Sequence, residues 1–172
     1  YNVKFILSDN RSFITRFDNP TGNLDDWYEG CEIGEIWGLV TEGFFKDQAD
    51  IDNHADQWDV TSYPGDRPIE PGDLKYKDLD NNGKINNGSW TVNDPGDYKV
   101  IGNNASRYNY GADFTAEWNG LDFRVLLQGV GKKDWYPESH YFFGIYRAPW
   151  GNVLENNLDH WTPEILMLIS QD

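Results

Sequence analysis

Apolar and polar positions alternate most clearly over residues 106–131. Tyr108, Tyr110, Ala112, Phe114, Ala116 and Trp118 occupy every second position, and Arg107, Asn109, Gly111, Asp113, Thr115 and Glu117 fill the others. Period two over such a length is the signature of a strand with one apolar and one polar face. Asn119-Gly120 follows, and both residues tolerate positive φ, which favours a two-residue hairpin turn. The return strand carries Leu121, Phe123, Val125 and Leu127 on one face. Asp122, Arg124 and Gln128 fall on the other, with Leu126 the exception. The turn predicts the register: Trp118 opposite Leu121, Ala116 opposite Phe123 and Phe114 opposite Val125. All the apolar side chains then share a face. On the other face Arg124 sits opposite Thr115, diagonal to Asp113 and Glu117 and within reach of them.

Such a hairpin fits two settings. One is the wall of a membrane barrel, lipid on the apolar side and water on the charged side, since about 9–11 tilted residues cross a bilayer. The other is a soluble β-sandwich, which shows the same alternation. The pattern alone leaves both open. Elsewhere Tyr1, Val3, Phe5 and Leu7 alternate with Asn2, Lys4, Ile6 and Ser8, predicting a strand. A chain that opens inside a strand reads as one whose beginning lies elsewhere. A further strand is predicted at Ser12 to Phe17 and a short helix over 46–55. Residues 18–105 and 131–163 read mostly as long loops, with 61–105 dense in Pro, Gly, Asp and Asn. Short turns on one side and long loops on the other is the asymmetry of outer-membrane barrels. The expected class is all-β. About four to six strands are fewer than the roughly eight of the smallest closed barrels, so the barrel reading makes this chain a partial barrel segment.

Composition sharpens this. Aromatic residues reach 16% (8 Trp, 10 Tyr, 9 Phe), yet no apolar run is long enough for a membrane helix. Aromatics in this number suit barrel girdles, a sandwich core or a sugar-binding surface. The 14 basic and 29 acidic residues give a net charge of −15. That balance repels nucleic acid and anionic membrane surfaces, and suits neutral or cationic ligands and divalent metal ions. Cys31 is the only cysteine, so no disulfide can form within the chain. His54, His140 and His160 share no metal spacing and read as surface residues. The sequence contains no nucleophile elbow, no phosphate-cradling loop and no carboxylate pair singled out by spacing. It therefore reads as a non-enzyme.

One motif carries ligand chemistry. Asp78-Leu-Asp80-Asn-Asn82-Gly83-Lys84-Ile85-Asn86 follows the first nine positions of an EF-hand-type calcium loop. Asp78, Asp80 and Asn82 supply oxygens at positions 1, 3 and 5, Gly83 makes the turn, Lys84 offers its carbonyl, and Ile85 anchors the loop. Asn86 takes the ninth position. The twelfth is Ser89 instead of a bidentate carboxylate, and Asp94 or Asp97 is a candidate replacement. The alternative is an Asx-rich turn without metal.

Five stretches in order resemble SusC/RagA-type TonB-dependent transporters, outer-membrane nutrient importers of Bacteroidetes. They are Gly34-Glu-Ile-Trp-Gly38 with Thr41-Glu-Gly-Phe-Phe45, Pro71-Gly-Asp-Leu-Lys-Tyr-Lys-Asp-Leu-Asp80 running into Asn82-Gly-Lys-Ile85, and Val100-Ile-Gly-Asn103 with Arg107-Tyr-Asn-Tyr-Gly111. Leu127-Gln-Gly-Val-Gly-Lys-Lys-Asp-Trp135 and Leu158-Asp-His-Trp-Thr-Pro-Glu164 complete the set. The resemblance implies a plugged transmembrane barrel of about 22 antiparallel strands. It implies import of glycans or peptides, driven by the TonB complex through a part of the protein outside this chain. A SusD-like surface lipoprotein would be the capture partner, outer-membrane lipid the surroundings, and a Gram-negative outer membrane the location. It also places the Asn-Gly calcium loop outside the cell. Trp135, Tyr136, Tyr141 and Trp150 are then candidates to stack on the substrate or face the lipoprotein, or else they pack the loops.

Family members commonly continue after Trp-Thr-Pro-Glu with a stretch such as Asn-Pro-Asp-Ala-Tyr-Phe-Pro-Arg. Here the chain reads Ile165-Leu-Met-Leu-Ile-Ser-Gln-Asp172. Deleting one base from the Asn codon of one coding sequence for that stretch generates Ile-Leu-Met-Leu-Ile-Ser-Gln followed by Asp or Glu, so the tail is expected to be a frameshift product, with an apolar last strand as the alternative. The competing reading for the whole chain is a soluble extracellular carbohydrate-binding β-sandwich stabilised by calcium.

Overall fold

The structure is a computed structural model that describes residues 1–61, 68–136 and 155. His140, Tyr141, Trp150, His160 and the 165–172 tail lie outside the described residues. The described chain is mostly strand with two short helices: β1 Asn2–Ser8, β2 Glu35–Gly38, β3 Thr41–Phe44, α1 Gln48–Asp52, α2 Trp58–Thr61, β4 Leu74–Tyr76, β5 Lys99–Asn103, β6 Arg107–Trp118 and β7 Leu121–Lys132. It divides into two compact units. One takes in Tyr1–Gly38, Ser89–Pro95 and Lys99–Trp135, the other Leu39–Gly88, Gly96–Tyr98 and Tyr136–Asp172.

The first unit is built on an antiparallel sheet of order β1-β6-β7. The predicted hairpin is present with the predicted register: Trp118 pairs with Leu121, Ala116 with Phe123, Phe114 with Val125 and Thr115 with Arg124. Asn119 (φ 47°) and Gly120 (φ 81°) both adopt the left-handed conformation that a tight hairpin turn demands. β1 pairs with the far side of β6, Val3 opposite Phe114 and Phe5 opposite Ala112. Its apolar set therefore joins the apolar face of the hairpin. The described strands form no closed barrel. β1 and β7 are the two outer strands of a three-stranded sheet.

A two-stranded sheet, β2 with β5, completes this unit, Ile36 opposite Gly102 and Trp37 opposite Val100. Gly34 stands before β2 with φ 95°, where a Cβ would come within 2.6 Å of the Asn103 and Asn104 side-chain oxygens. The expected strand at Ser12 to Phe17 is not formed. Phe13 makes one isolated bridge to Glu32. Around it the Ile14 N–H bonds the Cys31 carbonyl at 2.9 Å and the Gly30 N–H bonds the Ile14 carbonyl at 2.8 Å, with Gly30 at φ 91°.

The second unit pairs β3 with β4 and contains the two short helices. α1 falls within the expected 46–55 stretch and is N-capped by Asp47, whose carboxylate accepts the Asp50 N–H at 2.8 Å. Among the described residues Phe45, Gln57, Ile85 and Asp97 are fully buried. Gln57 fastens β4 from the side: its amide donates to the Leu74 carbonyl at 2.8 Å and accepts the Tyr76 N–H at 3.1 Å. His54, expected at the surface, is half-buried. Its Nε2 bonds the Tyr76 carbonyl at 2.8 Å and its ring stands edge-on to Phe45.

Candidate metal centre and the two sheet faces

The calcium-like loop belongs to the second unit. Its local geometry follows from its Asx residues, whose short side chains bond the backbone two to five positions on. Asp78 Oδ2 accepts the Gly83 N–H at 2.8 Å, Asp80 Oδ1 the Asn82 N–H at 3.0 Å, and Asn82 Oδ1 the Lys84 N–H at 2.7 Å. Gly83 turns at φ 82°. Ile85 anchors the loop as expected, with no exposed surface. The Ile85 N–H bonds the Asp56 carbonyl at 2.7 Å, and the Asp56 N–H bonds the Gly83 carbonyl at 3.0 Å.

The structure chooses between the two replacement carboxylates. Asp97 is fully buried in the same unit and reaches back to the loop. Its Oδ1 accepts the Leu79 N–H at 2.7 Å and its Oδ2 the Asn86 N–H at 2.9 Å. Asp78, Asp80 and Asp97 each offer an oxygen within 4.8 Å of the others. Asp94 belongs to the first unit, where it accepts the Ser89 N–H at 2.9 Å. Asn86 and Lys84 bond to each other, the Asn86 amide donating to the Lys84 carbonyl at 3.4 Å, and Asn86 Oδ1 accepts the Gly88 N–H at 2.7 Å.

These three carboxylates fit a hard cation. Asp78 Oδ1 is buried and has no hydrogen-bond partner. Buried polar atoms are rarely left unpaired, and an oxygen so placed beside two further carboxylates is a donor without an acceptor of its charge. Burial pushes the Asp78 carboxyl up. The N–H groups of Gly83, Asn81 and Asn82 and the Asp80 side chain outweigh it and hold Asp78 below its ordinary value, in the ionised form a metal needs. The lysine of the loop does not neutralise the cluster, because Lys84 Nζ pairs with Asp59 at 2.8 Å. Each carboxylate oxygen has more than one lone pair, so the backbone bonds leave Asp97 and Asp80 capacity for a cation. Three acidic residues that could hold a metal ion are thus brought together, two expected from loop spacing and the third chosen from two candidates.

The sheet of the first unit presents two unlike faces. One carries Val3, Phe5 and Leu7 beside Tyr110, Phe114 and Trp118, then Leu121, Phe123 and Leu127. Most of these are open to solvent: Phe5 is 67% exposed, Trp118 73% and Leu121 68%. Phe114 and Phe123 meet edge-on, 6.2 Å between ring centres. Gly129 and Gly131 stand opposite the two tyrosines of this face, and a Cβ on Gly129 would strike the Tyr110 ring at 2.3 Å. The other face carries Lys4, Asp113, Glu117, Asp122 and Arg124. Arg124 reaches diagonally to Asp113, Nε at 2.9 Å and Nη2 at 2.6 Å, as the register predicted.

Trp135 and Tyr136 are exposed, 70% and 60%. Tyr141 and Trp150 lie outside the described residues. Cys31 is buried, with Sγ 3.7 Å from Glu35 Oε2. Among the described residues no helix is long and apolar enough to cross a membrane, which says nothing of a strand-built barrel. Among the described residues, stretches that carry the transporter resemblance pair with one another, while 158–164 lies outside the described residues. Gly34–Gly38 lies against Lys99–Asn103, Thr41–Phe44 against Leu74–Tyr76, and Asp134 accepts the Asn103 N–H at 2.8 Å. No family model matches the chain, and no curated protein matches it.

Proposed function

We propose that this chain is a segment of the wall and outer loops of a SusC/RagA-type TonB-dependent importer, taking up glycans or peptides with a SusD-like lipoprotein. The observation that carries the reading is the β1-β6-β7 sheet. Among the described residues nothing covers its apolar face, its opposite face carries Lys4, Asp113, Glu117, Asp122 and Arg124 beside Ile6, Leu126 and Val130, and β6 and β7 each run 12 residues. In a β-sandwich the apolar face would pack on a second sheet about 10 Å away. The connections support the same reading. One end of the sheet closes in the two-residue turn at Asn119-Gly120. At the other end β1 leaves at Ser8 and β6 returns at Arg107, with residues 9–106 between them. A closed barrel takes roughly eight strands or more, so the remaining strands and the plug are supplied by sequence outside this chain. In this reading Asp78, Asp80 and Asp97 hold a calcium ion that braces an extracellular loop, with Asn82 and water completing its oxygen shell.

The test is lipid contact. The 172-residue chain is reconstituted into vesicles whose acyl chains are brominated, and tryptophan fluorescence is compared with that in unbrominated vesicles. Quenching is expected, and Trp118→Phe removes part of it. A chain that stays monodisperse without detergent and is not quenched by brominated lipid overturns the proposal and leaves the soluble calcium-stabilised sandwich. Gene context gives a second reading of the same question: a plug-encoding frame upstream and a SusD-like gene alongside are expected.

A further inference from the structure

A second feature lies in the loops of the first unit and does not rest on the membrane reading. Residues 24–37 fold around a cleft of about 400 Å³. Its lining residues include three aromatics, Trp27, Tyr28 and Trp37, and three acids, Asp25, Asp26 and Glu35, with Asn104 beside them and no lysine or arginine. The carboxylates are not equivalent. Glu35 is held by the protein itself: its Oε2 accepts the Tyr28 hydroxyl at 2.5 Å and its Oε1 the Glu32 N–H at 2.8 Å. Asp25 accepts the Trp90 indole N–H at 2.8 Å. Asp26 makes no side-chain hydrogen bond or ion pair. Its neighbour Trp27 is 43% exposed, so a large accessible ring and an unpaired carboxylate belong to adjacent lining residues of one cleft.

We infer that this cleft binds an organic cation, a quaternary ammonium or the ammonium or guanidinium group of a basic side chain. Aromatic faces attract cations through the ring quadrupole, and the attraction strengthens where water is thinned out. A carboxylate without a counter-ion supplies the charge complement, and the net charge of −15 raises the local concentration of cations. A neutral sugar would also stack on Trp27, but it gains nothing from the unneutralised charge of Asp26. An anion is repelled. The engaged Glu35 and Tyr28 fix the shape of the cleft, and Asp26 and Trp27 recognise the guest.

The test is a calorimetric titration of the full chain, folded and calcium-loaded, with tetramethylammonium chloride. Tert-butanol serves as an uncharged counterpart of similar shape and glucose as a neutral sugar. Saturable binding of tetramethylammonium is expected, with tert-butanol and glucose silent. Asp26→Asn, which removes no intrachain bond, should weaken binding about fivefold, and Trp27→Leu by a similar factor. Far-UV circular dichroism checks that both variants remain folded. Glucose or tert-butanol binding as well as tetramethylammonium overturns the inference. So does tetramethylammonium binding that Asp26→Asn leaves unchanged, since the effect would then be diffuse charge alone. Absence of saturable binding overturns it as well.

Discussion

Asp97→Asn separates two roles that the structure gives one side chain. Asp97 is fully buried and accepts two backbone N–H groups, from Leu79 at 2.7 Å and Asn86 at 2.9 Å. Asparagine keeps the volume but only one acceptor oxygen, so its NH₂ must face whichever N–H the lost oxygen served. One charge-assisted bond disappears and one buried donor is orphaned, a loss of about 2–3 kcal/mol. At 1.4 kcal/mol per factor of ten, that amide should exchange with solvent about 30- to 140-fold faster than in the parent chain. Hydrogen exchange resolved at Leu79 and Asn86 measures it. Wild-type protection at both amides would refute the claim that this carboxylate fastens the loop. The calcium arm is read from thermal unfolding. A ligand at about 100 times its dissociation constant stabilises by about 2.7 kcal/mol. The parent chain should show such a gain with calcium, and the variant should lose most of it. An undiminished calcium response in the variant would remove Asp97 from the ligand set while leaving its structural role intact.

Gly96→Ala should prevent the second unit from forming, because the added Cβ would lie 2.4 Å from the Asn86 carbonyl oxygen and 2.5 Å from the Gly88 nitrogen, at φ 58°. Gly83→Ala is the contrasting case: φ is 82° but the space is open, so the cost should be about 1–2 kcal/mol, read from a urea midpoint. Asp50 is held below its ordinary value by the Lys75 ammonium at 2.7 Å, with the Lys46 N–H adding to it against a smaller opposing effect of burial. A depressed carboxyl stabilises the fold above the unfolded value of about 4 and loses that contribution as pH falls through the folded value. The urea midpoint of the parent should therefore drop more steeply below about pH 4 than that of Asp50→Asn. Burial, and then the charge of Glu35, pushes the Cys31 thiol up. It should react slowly with a disulfide reagent at pH 8 and rapidly once denaturant is added, and equal rates in the two conditions would refute its burial.

What was legible in the sequence was what is local. The hairpin follows from alternation plus Asn119-Gly120, because a two-residue turn leaves one register that keeps Phe114, Trp118, Phe123 and Leu127 together. Arg124 reaching Asp113 follows from that register. The strand at the start of the chain was legible, but its partner was not. β1 pairs with β6 across residues 9–106, and nothing in Val3, Phe5 or Leu7 names Phe114 or Ala112. The strands β2 to β5 run three to five residues, and all but β4 carry glycine, too short for a period to emerge. His54 shows why lone polar residues are hard to place: it follows α1, and its carbonyl partner Tyr76 lies 22 residues on, in β4.

The third carboxylate of the candidate metal cluster is the most instructive case. Loop spacing gave Asp78 and Asp80 outright and left Asp94 and Asp97 undivided. They lie three residues apart in a Pro-Gly-containing segment with no helical or strand period to orient them. What separates them is Gly96. Its left-handed φ brings the chain against the backbone of Asn86 and Gly88 with room for no side chain, and the next residue is thereby delivered into the loop. Asp94, before that turn, is spent on the Ser89 N–H. A glycine one residue ahead of an acid is weak evidence by itself. Here it decides the ligand because the turn consumes the space that any other residue would need. If that is the physical reason, moving the acid should not be tolerated. The exchange Asp94→Asn should leave the calcium-dependent gain in melting temperature intact, whereas Asp97→Asn with Asp94 retained should abolish it. The reverse result would mean that the segment 89–97 can slide, and that the turn at Gly96 does not set the register of the loop.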